Sequence, residues 1–195
     1  MSTYVLFFGG YRATITDMKV WQGSAKAQKS DVEFDAIPWP SGASYTASSA
    51  VGVFTKTGGY KAAIAAIQSS KADQIYIVGH SSGCAIANAV DAGLKDPSNV
   101  VLVALDGFVP DRKQLARQST QVWAAKSGTA KSKNYKDLKD AVGSRLQVYP
   151  AAADCTTPWA LHFSLVNSAA NDKVVTGKDL IAKGYSQCKA NLVWL

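Results

Sequence analysis

Apolar positions along this chain follow two rhythms. Short unbroken apolar runs, each closed by Gly, Pro or a polar cluster, alternate with stretches where apolar residues recur every three or four positions. Unbroken runs predict strands buried on both faces. They fall within residues 4–8, 74–79, 99–105 and 121–125, and two further strands are expected at 32–37, stopped by Pro38 and Pro40, and at 145–149, before Pro150. Helical spacing predicts helices over about 17–29, 60–70, 82–92 and 135–142, and over most of the chain from about Phe163 onward. Gly93 closes the third of these. Residues 38–58 are rich in Ser, Gly, Pro and Thr and read as a long loop with some helix.

Buried strands alternating with helices predict an α/β chain: a three-layer α/β/α sandwich around a mostly parallel sheet of about six strands. The chain has 195 residues, 47% of them hydrophobic and 18% charged, so one domain over 1–195 with a normal core is expected. No repeat or low-complexity segment interrupts it.

The formal net charge is +7, and seven basic residues cluster between Arg112 and Lys136. No nucleic-acid-binding motif accompanies them, so a solvated basic face is expected and no nucleic-acid partner. No apolar run reaches the roughly 18 residues that cross a bilayer. The start, Met1-Ser2-Thr3-Tyr4, lacks the basic region of a signal peptide. A cytoplasmic location and no integral membrane segment are the expectations. Three cysteines, Cys84, Cys155 and Cys188, show no metal-ligand spacing. Cys155 and Cys188 could close a disulfide worth about 3–4 kcal/mol, or stay free thiols in a reducing cytoplasm.

Chemistry concentrates at Gly79-His80-Ser81-Ser82-Gly83. This is G-x-S-x-G, a weak pattern alone. Here it stands between a predicted strand and a predicted helix, the setting of a nucleophile elbow. A serine hydroxyl needs a base to take its proton, usually histidine. The chain has two histidines. His80 lies inside the elbow, its side chain directed away from the nucleophile, and reads as a shaping residue. His162 is therefore the expected base. A carboxylate must orient it. Asp106 ends the strand 99–105 on the same sheet edge as Ser81, and Asp154 stands shortly before His162. Both stay open as the acid. Asp91 and Asp96 fall below the sheet, Asp111 opens a helix, and Asp137 and Asp140 lie on a helix surface. For the oxyanion, the backbone N–H of Ser82 is one donor. Gly10 or Tyr11, after the first strand, is the other.

With these residues the chain resembles the α/β-hydrolase superfamily, at its compact, cap-less, esterase-like end. The resemblance rests on the elbow, on Gly9-Gly10 after the first strand, on Asp106 after the following strand and on the late His162. It implies a minimal α/β-hydrolase fold, a Ser–His–Asp triad, an acyl-enzyme intermediate and neither metal nor organic cofactor. One departure is Phe8-Gly9 where the superfamily commonly has His-Gly. The connection after Asp106 leaves no room for a large cap. A fairly open site is expected, roofed by 38–58 and 158–163, with Trp39, Tyr45, Phe54, Trp159 and Phe163 as pocket or core residues.

The sequence therefore leads to a serine hydrolase of carboxylic esters with a small-molecule ester or acyl substrate. A thioesterase, an amidase or an acyltransferase would use the same residues. A non-catalytic binding protein on the same scaffold is the rival from another class.

Overall fold

The computed structural model describes residues 1–95, 98–107, 121–166 and 189–195. Among the described residues seven strands are found: β1 (Thr3–Phe8), β2 (Val32–Ile37), β3 (Gln74–His80), β4 (Val100–Leu105), β5 (Gln121–Ser127), β6 (Ala130–Lys131) and β7 (Leu146–Pro150). Six helices among the described residues accompany them: α1 (Ile15–Gln28), α2 (Ala47–Lys56), α3 (Gly59–Ser69), α4 (Gly83–Ala92), α5 (Tyr135–Val142) and α6 (Pro158–Ser164).

The strands form one sheet in the order β2-β1-β3-β4-β5-β6, with β7 also on β5. Every pairing is parallel except the β5–β6 hairpin. Helices cover both faces, giving the three-layer α/β/α sandwich of a minimal α/β-hydrolase fold. The alternation in β1 shows why its run is unbroken. Tyr4, Leu6 and Phe8 pack with Phe54, Ile67, Ile86 and Val90 from α2, α3 and α4. Val5 and Phe7 point the other way, into a core with Met18 and Trp21 of α1 and Leu161 and Phe163 of α6. Phe7 stacks on Trp21 at 4.0 Å between ring centroids. A third cluster joins Leu138 and Val142 of α5 to Ala104, Val122 and Ala124. Each fully buried large side chain contributes about 1.5–3 kcal/mol.

Some expectations shift. Helix α1 begins at Ile15 instead of 17, because Thr14 and Asp17 form a capping box. Ten residues inside the Ser/Gly-rich 38–58 are α2, capped by Thr46 accepting from the Ser49 N–H. The sheet gains β6, a two-residue strand too short for any periodicity to reveal. Helix α6 starts well before Phe163, at Pro158 behind the Thr157 cap. Residues 189–195 are irregular, so the expected helical end does not extend to them.

Several sequence readings, Asp96, Asp111, Arg112, Lys113, Arg117 and Cys188, lie outside the described residues, as does most of the segment expected to be helical after 163. Cys84 and Cys155 are free and buried. Of the basic cluster, Lys136 pairs with Asp140 at 2.6 Å, and Lys131 lies 5.1 Å over the Tyr135 ring. Among the described residues, no helix is long and apolar enough to cross a membrane, and no cluster of His, Cys, Asp or Glu could hold a metal ion.

Candidate functional site

Ser81 sits at the sharp turn between β3 and α4, with φ at 53°. A non-glycine residue in this left-handed region is uncommon and costs about 1–3 kcal/mol. The flanking glycines make the turn possible for a second reason. A Cβ on Gly79 would lie 2.5 Å from the Cα of Cys84. A Cβ on Gly83 would run into the Phe8 carbonyl oxygen and reach that of Gly9 at 2.7 Å. The elbow thus fits only because its first and fifth residues have no side chain. The Ser81 N–H donates to the Leu105 carbonyl at 3.0 Å, tying the turn to the end of β4.

Immediately after that carbonyl comes Asp106, itself at φ 41° and fully buried. Its Oδ2 lies 2.6 Å from His162 Nδ1. Two further donors complete the carboxylate. The Ser132 hydroxyl donates to Oδ1 at 2.6 Å, and the Asn134 N–H donates to Oδ2 at 3.2 Å. The Asn134 side-chain amide donates to the Asp106 carbonyl at 2.7 Å. Ser132 in turn accepts from the Ala125 N–H at 3.1 Å, so the β5–β6 hairpin fixes the carboxylate. With Asp106 ionised, Nδ1 of His162 carries the proton and donates it. Nε2 is then the basic nitrogen.

His162 is 2% exposed and stands in the last turn of α6. Its carbonyl accepts from Nε2 of His80 at 3.1 Å, and the two imidazoles lie 4.6 Å apart. Because a carbonyl only accepts, His80 holds its proton on Nε2. Burial, then the neighbouring His162, push the His80 pKa well below the usual 6.5. His80 is therefore a neutral, buried brace under the helix that carries His162. Asp154 is exposed, and it is Asp106 that bonds the His162 ring. Cys84, three residues past Ser81, is no competing nucleophile. Burial pushes its thiol up to about 12, and Sγ donates to the Gly79 carbonyl at 2.9 Å.

Ser81, Ser82 and His162 open onto one cavity of about 560 Å³. Its walls carry Tyr11, Tyr45, Trp159 and Phe163, with Arg12 and Lys133 beside them. Trp39 and Phe54 are instead buried among the residues under α2 and α3. Tyr11 lines the cavity and Gly10 does not. Gly10 is buried, and its carbonyl closes a turn by accepting from the Ala13 N–H at 2.9 Å. The Gly9 N–H is taken by the Ile37 carbonyl at 2.9 Å. Ser82, as N-cap of α4, offers a backbone N–H that no intrahelical carbonyl can use.

Ser132 and Asn134 are missing from the sequence reading. They stand in a short polar run after a two-residue strand, and no spacing or composition marks them. Only the hairpin brings them to Asp106.

No family model matches the chain, and no curated protein matches it. Among solved structures it is similar to a predicted CIB-like hydrolase from Thermoplasma acidophilum, with 19% identity over 76% of this chain and 75% of that one and a TM-score of 0.45. It is also similar to the ydeN gene product of B. subtilis, with 16% identity over 76% of this chain and 85% of that one and a TM-score of 0.47. At such identities and scores, a neighbour's chemistry does not transfer to this chain.

Proposed function

We propose that the protein is a serine hydrolase of the α/β-hydrolase superfamily that cleaves carboxylic esters. The observation that carries this reading is the buried Asp106–His162 pair opening onto the cavity that Ser81 shares from a strained elbow. Structural histidine–aspartate pairs are common. A pair whose free imidazole nitrogen shares a cavity with an elbow serine supports catalysis instead.

In this reading Ser81 Oγ attacks the acyl carbon while Nε2 of His162 takes its proton. Asp106 stabilises the imidazolium and holds its tautomer. The N–H groups of Ser82 and Tyr11 receive the oxyanion. Tyr11 is favoured over Gly10 because it lines the cavity. The carbon–oxygen bond to the leaving group breaks, and His162 returns the proton to the departing alcohol. Water, deprotonated by His162, then hydrolyses the acyl-Ser81 ester and restores the hydroxyl. The cavity volume suits a small-molecule substrate.

A fluorophosphonate probe tests the reading. Wild type should be labelled, and Ser81→Ala should not. Absence of wild-type labelling, under conditions that label a control esterase, leaves a binding protein on this scaffold. A panel of p-nitrophenyl esters beside a thioester and an anilide then separates esterase from thioesterase or amidase. An added alcohol acceptor reveals acyl transfer.

A further inference from the structure

The cavity beside Ser81 is apolar in body and cationic in part, and among the described residues no carboxylate lines it. Arg12 enters from the loop after β1, and Lys133 from the loop after β6. Each rests on an aromatic ring of the same cavity. The Arg12 guanidinium carbon lies 5.2 Å from the Tyr11 ring centre, and the Lys133 ammonium 5.4 Å from that of Trp159. Rings at this distance steady a cation and leave its hydrogen-bond donors available. Among the described residues, neither cation pairs with a carboxylate. The contrast with Lys136, which is spent on Asp140 at 2.6 Å, is local and clear.

Arg12 carries a second mark. The Ala13 N–H donates to the Gly10 carbonyl, so residues 10–13 form a turn with Arg12 third. Its φ is 68°. That position favours glycine or asparagine, and arginine holds it at the expense of strain. A strained long cation next to the oxyanion-side loop is hard to explain by folding alone.

We propose that Arg12 and Lys133 select substrates bearing an anionic group on an apolar or aromatic body, with a carboxylate as the simplest case. Tyr11, Tyr45, Trp159 and Phe163 take the body, and the two cations take the charge. This deepens the ester-hydrolase reading and depends on the same cavity. Its binding claim stands apart from turnover.

Two measurements test it. The first compares kcat/KM for the p-nitrophenyl monoester of glutaric acid with that for p-nitrophenyl valerate. Wild type should prefer the charged ester about tenfold at low salt, and the preference should shrink as ionic strength rises. Arg12→Asn, which suits the left-handed backbone, and Lys133→Gln should each lower the charged-to-neutral ratio. The double variant should bring it near one, whereas Arg12→Lys and Lys133→Arg should keep most of it. The second measures binding of 4-phenylbutyrate and 4-phenylbutan-1-ol by calorimetry, which needs no catalysis. The acid should bind several-fold tighter, and that advantage should vanish in the double variant. Equal handling of charged and neutral probes by wild type, or a ratio unmoved in the double variant, overturns the proposal. Ester turnover without charge preference leaves the hydrolase reading standing. Charge-selective binding without turnover or probe labelling sinks the hydrolase reading and keeps the anion site.

Discussion

Asp106 Oδ2 lies 2.6 Å from His162 Nδ1, with the two side chains at 0% and 2% exposure. Fifty-six positions of chain separate them. A contact this short between a carboxylate and an imidazole, closed from water, fixes both ring orientation and tautomer. Asp106→Asn should therefore lower kcat for ester hydrolysis by about 10⁴-fold, because an amide permits the wrong tautomer. Asp154→Asn should stay within about twofold of wild type, since Asp154 is exposed and His162 Nδ1 is already bonded to Asp106. Steady-state kinetics on one activated ester decides. A large loss in Asp154→Asn with little in Asp106→Asn would move the role to Asp154.

Ser132 is a positioning residue, touching the acid and not the cavity. Its hydroxyl donates to Asp106 Oδ1 at 2.6 Å and accepts from the Ala125 N–H. Ser132→Ala leaves a buried carboxylate oxygen and a buried amide without those partners, costing about 1–3 kcal/mol of stability. The functional signature is separate. kcat should fall about tenfold with KM within about twofold, since substrate contacts are untouched. Urea unfolding and steady-state kinetics on the same preparation measure both. A rise in KM with unchanged kcat would contradict the assignment.

Strands β1, β3 and β4 were legible because they are buried on both faces, which leaves apolar runs such as Val5-Leu6-Phe7-Phe8, whereas β2 and β7 are partly exposed and carry polar residues such as Glu33, Asp35 and Gln147. The elbow was legible because its whole pattern, Gly79 to Gly83, lies within two residues of Ser81, although Gly83 answers to the distant Phe8 and Gly9 carbonyls. Asp106 stayed in competition with Asp154 because the choice depends on where α6 delivers His162, and that is tertiary. Helix α2 was legible only as some helix within the Ser/Gly-rich 38–58, without bounds, since its burial rests on two residues, Ala50 and Phe54. Ser132, Asn134, Arg12 and Lys133 left no periodic trace. They act through loops, where sequence pattern is silent and geometry is all.

The two elbow glycines differ from a glycine with space around it. Gly83→Ala would drive a methyl group into the Phe8 carbonyl, and Gly79→Ala one against the Cα of Cys84. Neither neighbour is a flexible side chain that can turn aside. Each substitution should cost about 3 kcal/mol or more, or prevent folding. Gly52, inside α2 with nothing within 4 Å of an added Cβ, is the control. Gly52→Ala should stabilise by about 0.5–1 kcal/mol. Thermal and urea unfolding of the three variants check the contrast. Wild-type stability in either elbow variant would contradict the packing account.

His80 gives the fold a pH dependence whose sign follows from its burial. It is 0% exposed, and burial together with His162 holds its pKa well below 6.5 in the folded state. The unfolded chain keeps an ordinary imidazole, which takes up a proton below about pH 6.5. Between the two pKa values the unfolded state binds one more proton than the folded state, so stability rises with pH. No penalty exists above about pH 6.5. Below it, His80 should remove up to about 1.4 kcal/mol per pH unit, until the folded state is protonated as well. His80→Gln keeps an N–H donor for the His162 carbonyl and removes the titration. Urea unfolding between about pH 5 and 7.5 should show wild type losing more stability than His80→Gln as pH falls, by a slope equivalent to one proton. Parallel pH profiles for the two proteins would show that His80 accepts its proton in the folded state after all.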